Sequence, residues 1–517
     1  MGHVADVAVL GAGTMGSGIA EVAARAGHQV QLFDLRAETA RRALDQIGRN
    51  LARDVARGRL EAADAAATVA RIHLASAVAD LAGVGVVVEA VTEDLAVKRE
   101  LLAEVEKVVT QGDEDVVLAT TTSLLSVTAL ATGLQRPGLL VGLHLFTPAP
   151  RTALVEVVQG EDSEPAVVEA AVELTRAWGK TPVLCRSTPG FVVNRIARSF
   201  FGEAQRVVEL RAADAATVDA ILREAGGFPL GAFQLADLVG QDVDLAVTRS
   251  VWERTFHDPR YAPTVLQQRL VDAGRLGRRT GRGVYGYAPD GEVRDALALT
   301  APHRPAPVHV QLVDYEFGPM APFVDRIERG GVEIERIALS DSEALEELPG
   351  LRLPGEGLLR VTDGSTARSW AMEAPGGVVL LDWAHDPTTC RRVALMAPRD
   401  VEPVVLDAAI GLCQAAGVEV SVIADVAGGV VARTVSMLVN EAVDLVARGE
   451  ASANDVDVAM LLGTGFPSGP LEWGDRVGAI RVASVLAELH EETPTGRYRV
   501  SPRLDEAVVA EENLRDL

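Results

Sequence analysis

An α/β chain with an internal duplication is what this 517-residue sequence predicts. Three observations carry that expectation. Short apolar runs alternate with helical stretches over roughly the first 187 residues, the pattern of an open, mostly parallel sheet covered by helices. After Ser187-Thr188-Pro189-Gly190, amphipathic helical patterns take over. A block of the first half then recurs in the second at one constant spacing.

The elements follow in order. Asp6-Val7-Ala8-Val9-Leu10 reads as a strand, 14–26 as an Ala-rich helix and 29–33 as a second strand, a β-α-β opening. A long Arg- and Ala-rich helix covers about 37–57. Residues 84–88, 116–118, 139–143, 154–158 and 182–184 are further short strands, with helices at 95–110 and 165–178. From 191 to about 270 the pattern is helical, and the Gly- and Arg-rich stretch 275–287 closes that part. Residues 288–307, with Pro302, Pro305 and Pro307, read as a linker.

The duplication is the most informative feature outside the motifs. Gly227-Phe228-Pro229-Leu230-Gly231 returns 238 positions later as Gly465-Phe466-Pro467-Ser468-Gly469. The same spacing pairs Glu164-Pro165 with Glu402-Pro403, Gly179 with Gly417, Arg195 with Arg433 and Glu203 with Glu441. It also pairs Asp219 with Asp457, Asp237 with Asp475 and Gly240 with Gly478. One register held so long marks the second half as a shortened copy of the first. The copy sets Asp382 opposite His144 and Ala432 opposite Asn194, and no glycine motif follows Val310-Gln311-Leu312-Val313-Asp314, which leads into Tyr315-Glu316-Phe317-Gly318. Packing groups are kept and ligand groups lost, so the second half is expected to be a structural partner and not a second active site. His385 and Asp386 form either a new acid–base pair or a surface turn.

Composition narrows the function classes. Lys and Arg total 49 against 73 Asp and Glu, a net charge of -24 with a pI near 4.9. That argues against non-specific binding to nucleic acid or to an anionic membrane. An anionic ligand would have to meet a local basic patch and helix N-termini. Cys185, Cys390 and Cys413 show no CxxC spacing, so neither a disulfide framework nor a metal site is indicated. There is no basic leader, and the charge-free stretch 116–135 is full of Thr, Ser and Gly, so a cytoplasmic protein is the expectation.

The chemistry begins at Gly11-Ala12-Gly13-Thr14-Met15-Gly16, a GxGxxG between strand and helix, with Asp34 at the end of the next strand. Gly11 permits the tight turn, Gly13 the approach of a pyrophosphate to backbone, and Gly16 close packing of helix on sheet. Asp34 suits a ribose diol and would repel a 2′-phosphate, which favours NAD over NADP. His144 ends an apolar strand in Gly142-Leu143-His144-Leu145-Phe146-Thr147-Pro148, and Glu156 sits on the next strand. The two read either as a base with its orienting carboxylate or as a core histidine with a satisfied partner. Ser123, in Thr120-Thr121-Thr122-Ser123, lies just past a strand end, where it can meet a ligand or cap the helix at 126–131. Asn194 falls in the first turns of the first long helix, in Pro189-Gly190-Phe191-Val192-Val193-Asn194-Arg195, as a cap or as a ligand contact.

Together these segments resemble the L-3-hydroxyacyl-CoA dehydrogenase family over residues 4–287, through GAGTMGSGIA, VVVEAVTEDLAVKRELL, GLHLFTPAP with LVEV, STPGFVVNR and GRLGRRTGRGVYGY. The resemblance implies that His144 removes the hydroxyl proton, that Glu156 orients His144, and that Ser123 and Asn194 hold the substrate oxygen. It places Glu93, Lys98, Ser123 and Thr147 with Gly11, Gly13, Thr14, Met15, Gly16 and Asp34 at the NAD site. Asn50 and Arg57 fall at CoA-contacting positions, beside Arg49 and Arg53, which read equally as a solvated helix face.

The layout implied is a Rossmann NAD domain (1–187), a helical substrate domain (188–288), a linker (289–307), a reduced Rossmann-like domain (308–425) and a second helical domain (426–517). The second helical domain would dock on the first, as in the dimer of shorter relatives, and a further homodimer stays open. The first helical domain is most similar to members acting on 3-hydroxyadipyl-CoA in phenylacetate breakdown, with 3-hydroxybutyryl-CoA the nearest alternative. The family usually has Asn at Thr121 and Thr147, Ser at Leu124 and Lys at Ala153. Arg151, where an apolar residue is usual, is a candidate partner for a distal substrate carboxylate. Two other readings stand beside this one: a dehydrogenase of a free hydroxy acid, and a catalytically weakened cofactor-binding structural protein.

Overall fold

The computed structural model describes residues 5–111, 116–294, 297–313, 317–337, 348–370, 372 and 374–517. It divides into two compact units, Met1–Val193 with Gly449–Thr464, and Asn194–Arg448 with Gly465–Leu517.

The first unit contains β1 (Val7–Leu10), α1 (Thr14–Arg25), β2 (Val30–Phe33), α2 (Ala37–Ala56), α3 (Ala62–Ala70), β3 (Ile72–Ala75) and β4 (Val86–Glu89). It continues through α4 (Leu95–Val109), β5 (Val117–Thr120), α5 (Val127–Ala131), β6 (Leu140–Leu145), β7 (Leu154–Gln159), α6 (Pro165–Ala177) and β8 (Thr181–Arg186). One eight-stranded sheet runs β3-β2-β1-β4-β5-β6-β7-β8, parallel throughout except between β6 and β7. Strands β1, β4, β5 and β6 are buried at every position, because helices cover both faces, and so they read as continuous apolar runs. Strand order reverses between β1 and β4, and the carboxyl ends of strands at such a switch point are where α/β sheets bind ligands. Helix α3 and strand β3 had no sequence signal. The helix is a run of alanines without an apolar stripe, and β3 is a short edge strand with two exposed residues.

From α7 (Val193–Glu209) the chain builds the second unit, with α8 (Ala215–Glu224), α9 (Ala232–Val239), α10 (Gln241–Arg254), α11 (Val265–Asp272) and the ribbon of β9 (Gly286–Tyr287) and β10 (Val293–Arg294). The Gly-Arg stretch is tied down by Asp237, whose carboxylate accepts from the amides of Val284 and Tyr285 and from Tyr287. A Cβ at Gly283 would lie 2.0 Å from that carboxylate, so only glycine fits there.

A second, seven-stranded sheet follows, in the order β12-β11-β13-β14-β15-β16-β17. It comprises β11 (His309–Val313), α12 (Ala321–Arg329), β12 (Glu333–Ile337), β13 (Gly350–Leu353), β14 (Gly357–Val361), β15 (Val378–Leu381), β16 (Arg392–Ala397), α13 (Pro403–Ala415) and β17 (Glu419–Ala424). Strand β13 is antiparallel to both neighbours, so this sheet is a reduced version of the first. Residues 314–316, in the stretch read as lacking a glycine motif, lie outside the described residues. Helices α14 (Val431–Ala447), α15 (Ala453–Thr464), α16 (Pro470–Val477), α17 (Ala479–Glu492) and α18 (Pro502–Ala510) complete the chain.

The duplication is visible as exchanged contacts. Helix α15 belongs to the first unit, where it packs on β7 and β8, while its counterpart α8 packs on β16 in the second. One edge of each sheet, at β8 and at β17, is capped in the same way. Arg186 N–H donates to Glu450 O at 2.8 Å, and Ala424 N–H donates to Ala212 O at 3.0 Å, which covers strand edges that would otherwise recruit other chains.

Within the second unit, Arg195 pairs with Glu441 at 2.5 Å and Arg433 with Glu203 at 3.1 Å, the reciprocal pattern of a two-fold interface. Tyr261 and Arg260 complete the first cluster, and Tyr498 and Arg497 the second. Phe228 and Phe466 meet at 4.9 Å, each following a glycine of positive φ (Gly227 and Gly465). The clusters differ in charge. Asp444 joins Arg195 and Arg260 in one, whereas Arg206 stands at the duplicate position near Glu203. Burial alone would raise the pKa of Glu203, but Arg497, Arg433 and Arg206 pull it down to about 2.

Candidate active site

The site sits at the carboxyl ends of β1, β2, β4, β5 and β6 in the first unit. Gly11 holds φ +94°, and a Cβ on Gly16 would lie 1.8 Å from Gly11 O, so the turn and the α1 packing both require glycine. Gly13 is exposed and has open space where a Cβ would stand, beside exposed Thr14 and partly exposed Met15 in the first turn of α1. Asp34 Oδ2 accepts from Ala12 N–H at 2.9 Å, so the acid braces the turn from the end of β2. The cradle therefore fits a dinucleotide pyrophosphate at a helix N-terminus.

Ser123, His144 and Glu156 form one hydrogen-bonded row. His144 pairs with Glu156 in register across β6 and β7, and its Nδ1 lies 2.5 Å from Glu156 Oε2. A carboxylate only accepts, so Nδ1 carries the proton and Nε2 is left as an acceptor. Ser123 Oγ, 3.0 Å from Nε2, is its donor. His144 and Glu156 are 3 % and 0 % exposed, while Ser123 is partly open, so only the Nε2 end of the row faces outward. Glu156 Oε1 accepts from the amides of Val192 and Val193, where α7 begins, at 3.0 and 2.9 Å. Phe146 and Phe191 pack on the imidazole at 4.5 and 5.6 Å.

The remaining expected residues are placed as follows. Asn194 lies in the first turn of α7, in the second unit, and its carbonyl accepts from Arg198. Thr147 is exposed and precedes a cis proline, Pro148. Glu93 Oε1 accepts from Thr122 Oγ1 and from the amides of Ser123 and Leu124. Lys98 is 1 % exposed, enclosed by Glu89, Glu93 and Val91 O. Asn50 and Arg57 are on and just past α2, where Asn50 Oδ1 accepts from Gln46 and Arg53. Arg151 is exposed and lies 3.9 Å from Asp54 of α2, close to Asn50 and Arg53.

Sequence reasoning missed two residues. Glu89 ends β4 fully buried, accepting from Thr120 Oγ1 and Val91 N–H; a carboxylate closing the run Val86-Val87-Val88 was the available signal. Lys180 Nζ donates to Ala149 O and Thr152 O at 2.7 and 2.6 Å, bracing the loop after Thr147, and burial lowers its pKa. Nothing local in sequence marks it. In the second half, His385 Nε2 meets Ser468 Oγ at 2.9 Å, whereas Asp386 accepts from Thr388 and Thr389. Burial and Arg476 lower the His385 pKa to about 4, so that pair forms a neutral contact and a turn.

A glycine cradle with Asp34 and a histidine–carboxylate row on the same sheet define an NAD-dependent oxidoreductase. Matches to family models give the class. Residues 6–188 match the NAD-binding domain of 3-hydroxyacyl-CoA dehydrogenase, 190–287 and 428–516 match its C-terminal domain, and 359–426 match a 3-hydroxybutyryl-CoA dehydrogenase reduced Rossmann-fold domain. The chain belongs to the 3-hydroxyacyl-CoA dehydrogenase family.

It is 39 % identical over 498 residues, 96 % of each chain, to a 3-hydroxyadipyl-CoA dehydrogenase of Escherichia coli K12. A probable 3-hydroxybutyryl-CoA dehydrogenase of Deinococcus radiodurans is 36 % identical over 280 residues, 54 % of this chain and 99 % of that one. Among solved structures, a 3-hydroxybutyryl-CoA dehydrogenase of E. coli K12 superposes with a TM-score of 0.85 at 37 % identity, covering 98 % of this chain and 99 % of that one. No helix among the described residues is long and apolar enough to cross a membrane.

Proposed function

We propose that this chain oxidises the 3-hydroxyl of L-3-hydroxyadipyl-CoA or L-3-hydroxybutyryl-CoA to the 3-oxo thioester, in the cytoplasm, in fatty-acid or phenylacetate catabolism. The Ser123–His144–Glu156 row carries the reading. His144 Nε2 accepts from the partly open Ser123 Oγ–H, and there a substrate hydroxyl would take the place of the serine donor. As the hydroxyl proton moves to Nε2, the imidazolium is stabilised by Glu156, already bonded to Nδ1. The bound nicotinamide cofactor would supply the acceptor for the hydride lost from C3. Ser123 would hold the substrate oxygen as it becomes a carbonyl and in reverse polarise it, and Asn194 is a further candidate by its family position alone.

Gly11, Gly13, Thr14, Met15, Gly16 and Asp34 would hold the adenosine and pyrophosphate, with Glu93 and Thr147 toward the nicotinamide. Asn50 and Arg57 would contact CoA, in the segment assignment 1–187, 188–288, 308–425 and 426–517 given above. The similarity along nearly the whole chain to the E. coli 3-hydroxyadipyl-CoA dehydrogenase and to the solved E. coli 3-hydroxybutyryl-CoA dehydrogenase structure supports the short or dicarboxylic acyl class. Turnover across 3-hydroxyadipyl-, 3-hydroxybutyryl- and longer 3-hydroxyacyl-CoAs tests this directly. A rate confined to free hydroxy acids, uninhibited by CoA, would remove it.

A further inference from the structure

Lys98 and Glu93 have an arrangement that a plain cofactor contact does not require. An ammonium has three N–H bonds. Lys98 donates to Glu89 Oε1 at 2.7 Å and to Val91 O at 3.3 Å, its ammonium forms an ion pair with Glu93 Oε2 at 3.3 Å, and the side chain is 1 % exposed. The ammonium is therefore enclosed by partners inside the protein. Glu93 in turn uses a single oxygen to gather three donors of the loop after β5: Thr122 Oγ1 at 2.5 Å, Ser123 N–H at 2.9 Å and Leu124 N–H at 3.0 Å. Thr122 Oγ1 also accepts from Leu125 N–H at 2.9 Å, which closes the loop on itself.

We infer that Glu93 is a positioning residue that aims Ser123 Oγ at His144 Nε2, and that the buried Glu89–Lys98 pair acts through it by keeping its carboxylate charged. This rests on the dehydrogenase reading above. A neutral acceptor would bind three converging donors more weakly, because charge-assisted hydrogen bonds are roughly twice as strong. Burial works against the charged form of Glu93, yet Lys98, Thr122 and the two amides outweigh it and hold the pKa below the usual carboxylate range. The chain of contacts is then continuous from Lys98 through Glu93 and Ser123 to His144 and Glu156. Ser123 sits on a loop, and without Glu93 that loop loses three bonds that converge on one oxygen.

The test uses the full chain with Glu93→Ala, Glu93→Gln and Ser123→Ala, plus the charge-free pair Glu89→Gln with Lys98→Met, because Lys98→Met alone strands a buried carboxylate. Three quantities are read: kcat at saturating NAD and acyl-CoA, the NADH dissociation constant by fluorescence, and the His144 Cε1–H titration by NMR without ligands. In Glu93→Ala, kcat should fall roughly 10²-fold, the cost of misplacing a reacting group by about 1 Å. NADH affinity should move by less than about tenfold, and the His144 titration should follow that of Ser123→Ala. Glu93→Gln should recover part of kcat, and the charge-free pair should resemble it. A His144 titration unchanged from the parent in Glu93→Ala would overturn the inference, as would lost NADH affinity with kcat retained at saturation. A parent that turns over no 3-hydroxyacyl-CoA would remove the dehydrogenase reading, while the NMR comparison would still decide what Glu93 positions.

Discussion

Two corners of the molecule descend from one plan and differ in chemistry. In the first sheet, His144 faces Glu156 across β6 and β7; in the second, Asp382 follows β15 and pairs with Ala394 of β16 in the same register. Both corners place a buried carboxylate under the start of a long helix. Glu156 accepts from Val192 and Val193, and Asp382 accepts from Val430, Val431 and Ala432. The duplicate lost its base and its orienting acid, yet a carboxylate returned from the neighbouring strand to take the same helix N-terminus. Four N–H groups lie orphaned at a helix start, and in a buried setting they need an acceptor whether or not a reaction occurs. Glu156 therefore has two separable functions, holding α7 and holding His144.

Substitutions can pull the two corners apart. His144→Gln should lower turnover by ~10²–10⁴-fold while NAD still binds; near-parental rates with a 3-hydroxyacyl-CoA would end its assignment as the base. Glu203→Gln and Glu441→Gln probe the reciprocal clusters that join the copies. Removing one partner of a buried pair costs about 3–5 kcal/mol, and Glu203→Gln should be the more damaging, since three arginines surround Glu203 while Asp444 shares the load at Glu441.

The parent should show the matching pH dependence. The folded pKa of Glu203 is depressed to about 2 from 4.5, so its contribution is complete above about 4.5 and is lost as pH falls toward 2. Denaturant midpoints across that window check it, and a Glu203→Gln chain with the same acid sensitivity as the parent would contradict the assignment.

Smaller effects sharpen the contrast. Asp382→Ala should lower the unfolding midpoint by stranding amides, at ~1–3 kcal/mol for each buried group left unpaired, with kcat of the folded protein unchanged; a loss of turnover at full stability would make the second corner functional. Calorimetry should count one NAD per chain, and truncation near Pro302 should give an aggregating product. Two equivalents, or a soluble and active monomeric first half, would refute the partner role. Asp34→Ala should weaken NAD and relax discrimination against NADP, through loss of the ribose hydrogen bonds and of the brace on Ala12 N–H. An unchanged cofactor preference would mean that the turn is wrongly read.

Much of this is legible in the sequence. The glycine turn, the β-α-β opening and the 238-residue repeat are local or periodic signals, and they identified the NAD fold and the duplicated plan from residues such as Gly11, Asp34 and the paired Gly-Phe-Pro turns. His144 and Glu156 could be named as a pair because adjacent strands bring residues of matching register together.

Other features arise only from three-dimensional packing, since residues far apart in the chain supply them. The family resemblance puts Lys98 at the NAD site, but no sequence pattern shows that Glu89 and Glu93 close around it. The exchange of α15 into the first unit depends on which strand edge its loop covers, and no local pattern records that. The choice between base pair and turn at His385 and Asp386 was settled by Ser468, Thr388 and Thr389 competing for their polar atoms. Periodicity and motif belong to the chain, whereas the partner that satisfies each buried charge is set by burial itself, which makes an unpaired charge costly and so selects the contacts that remain.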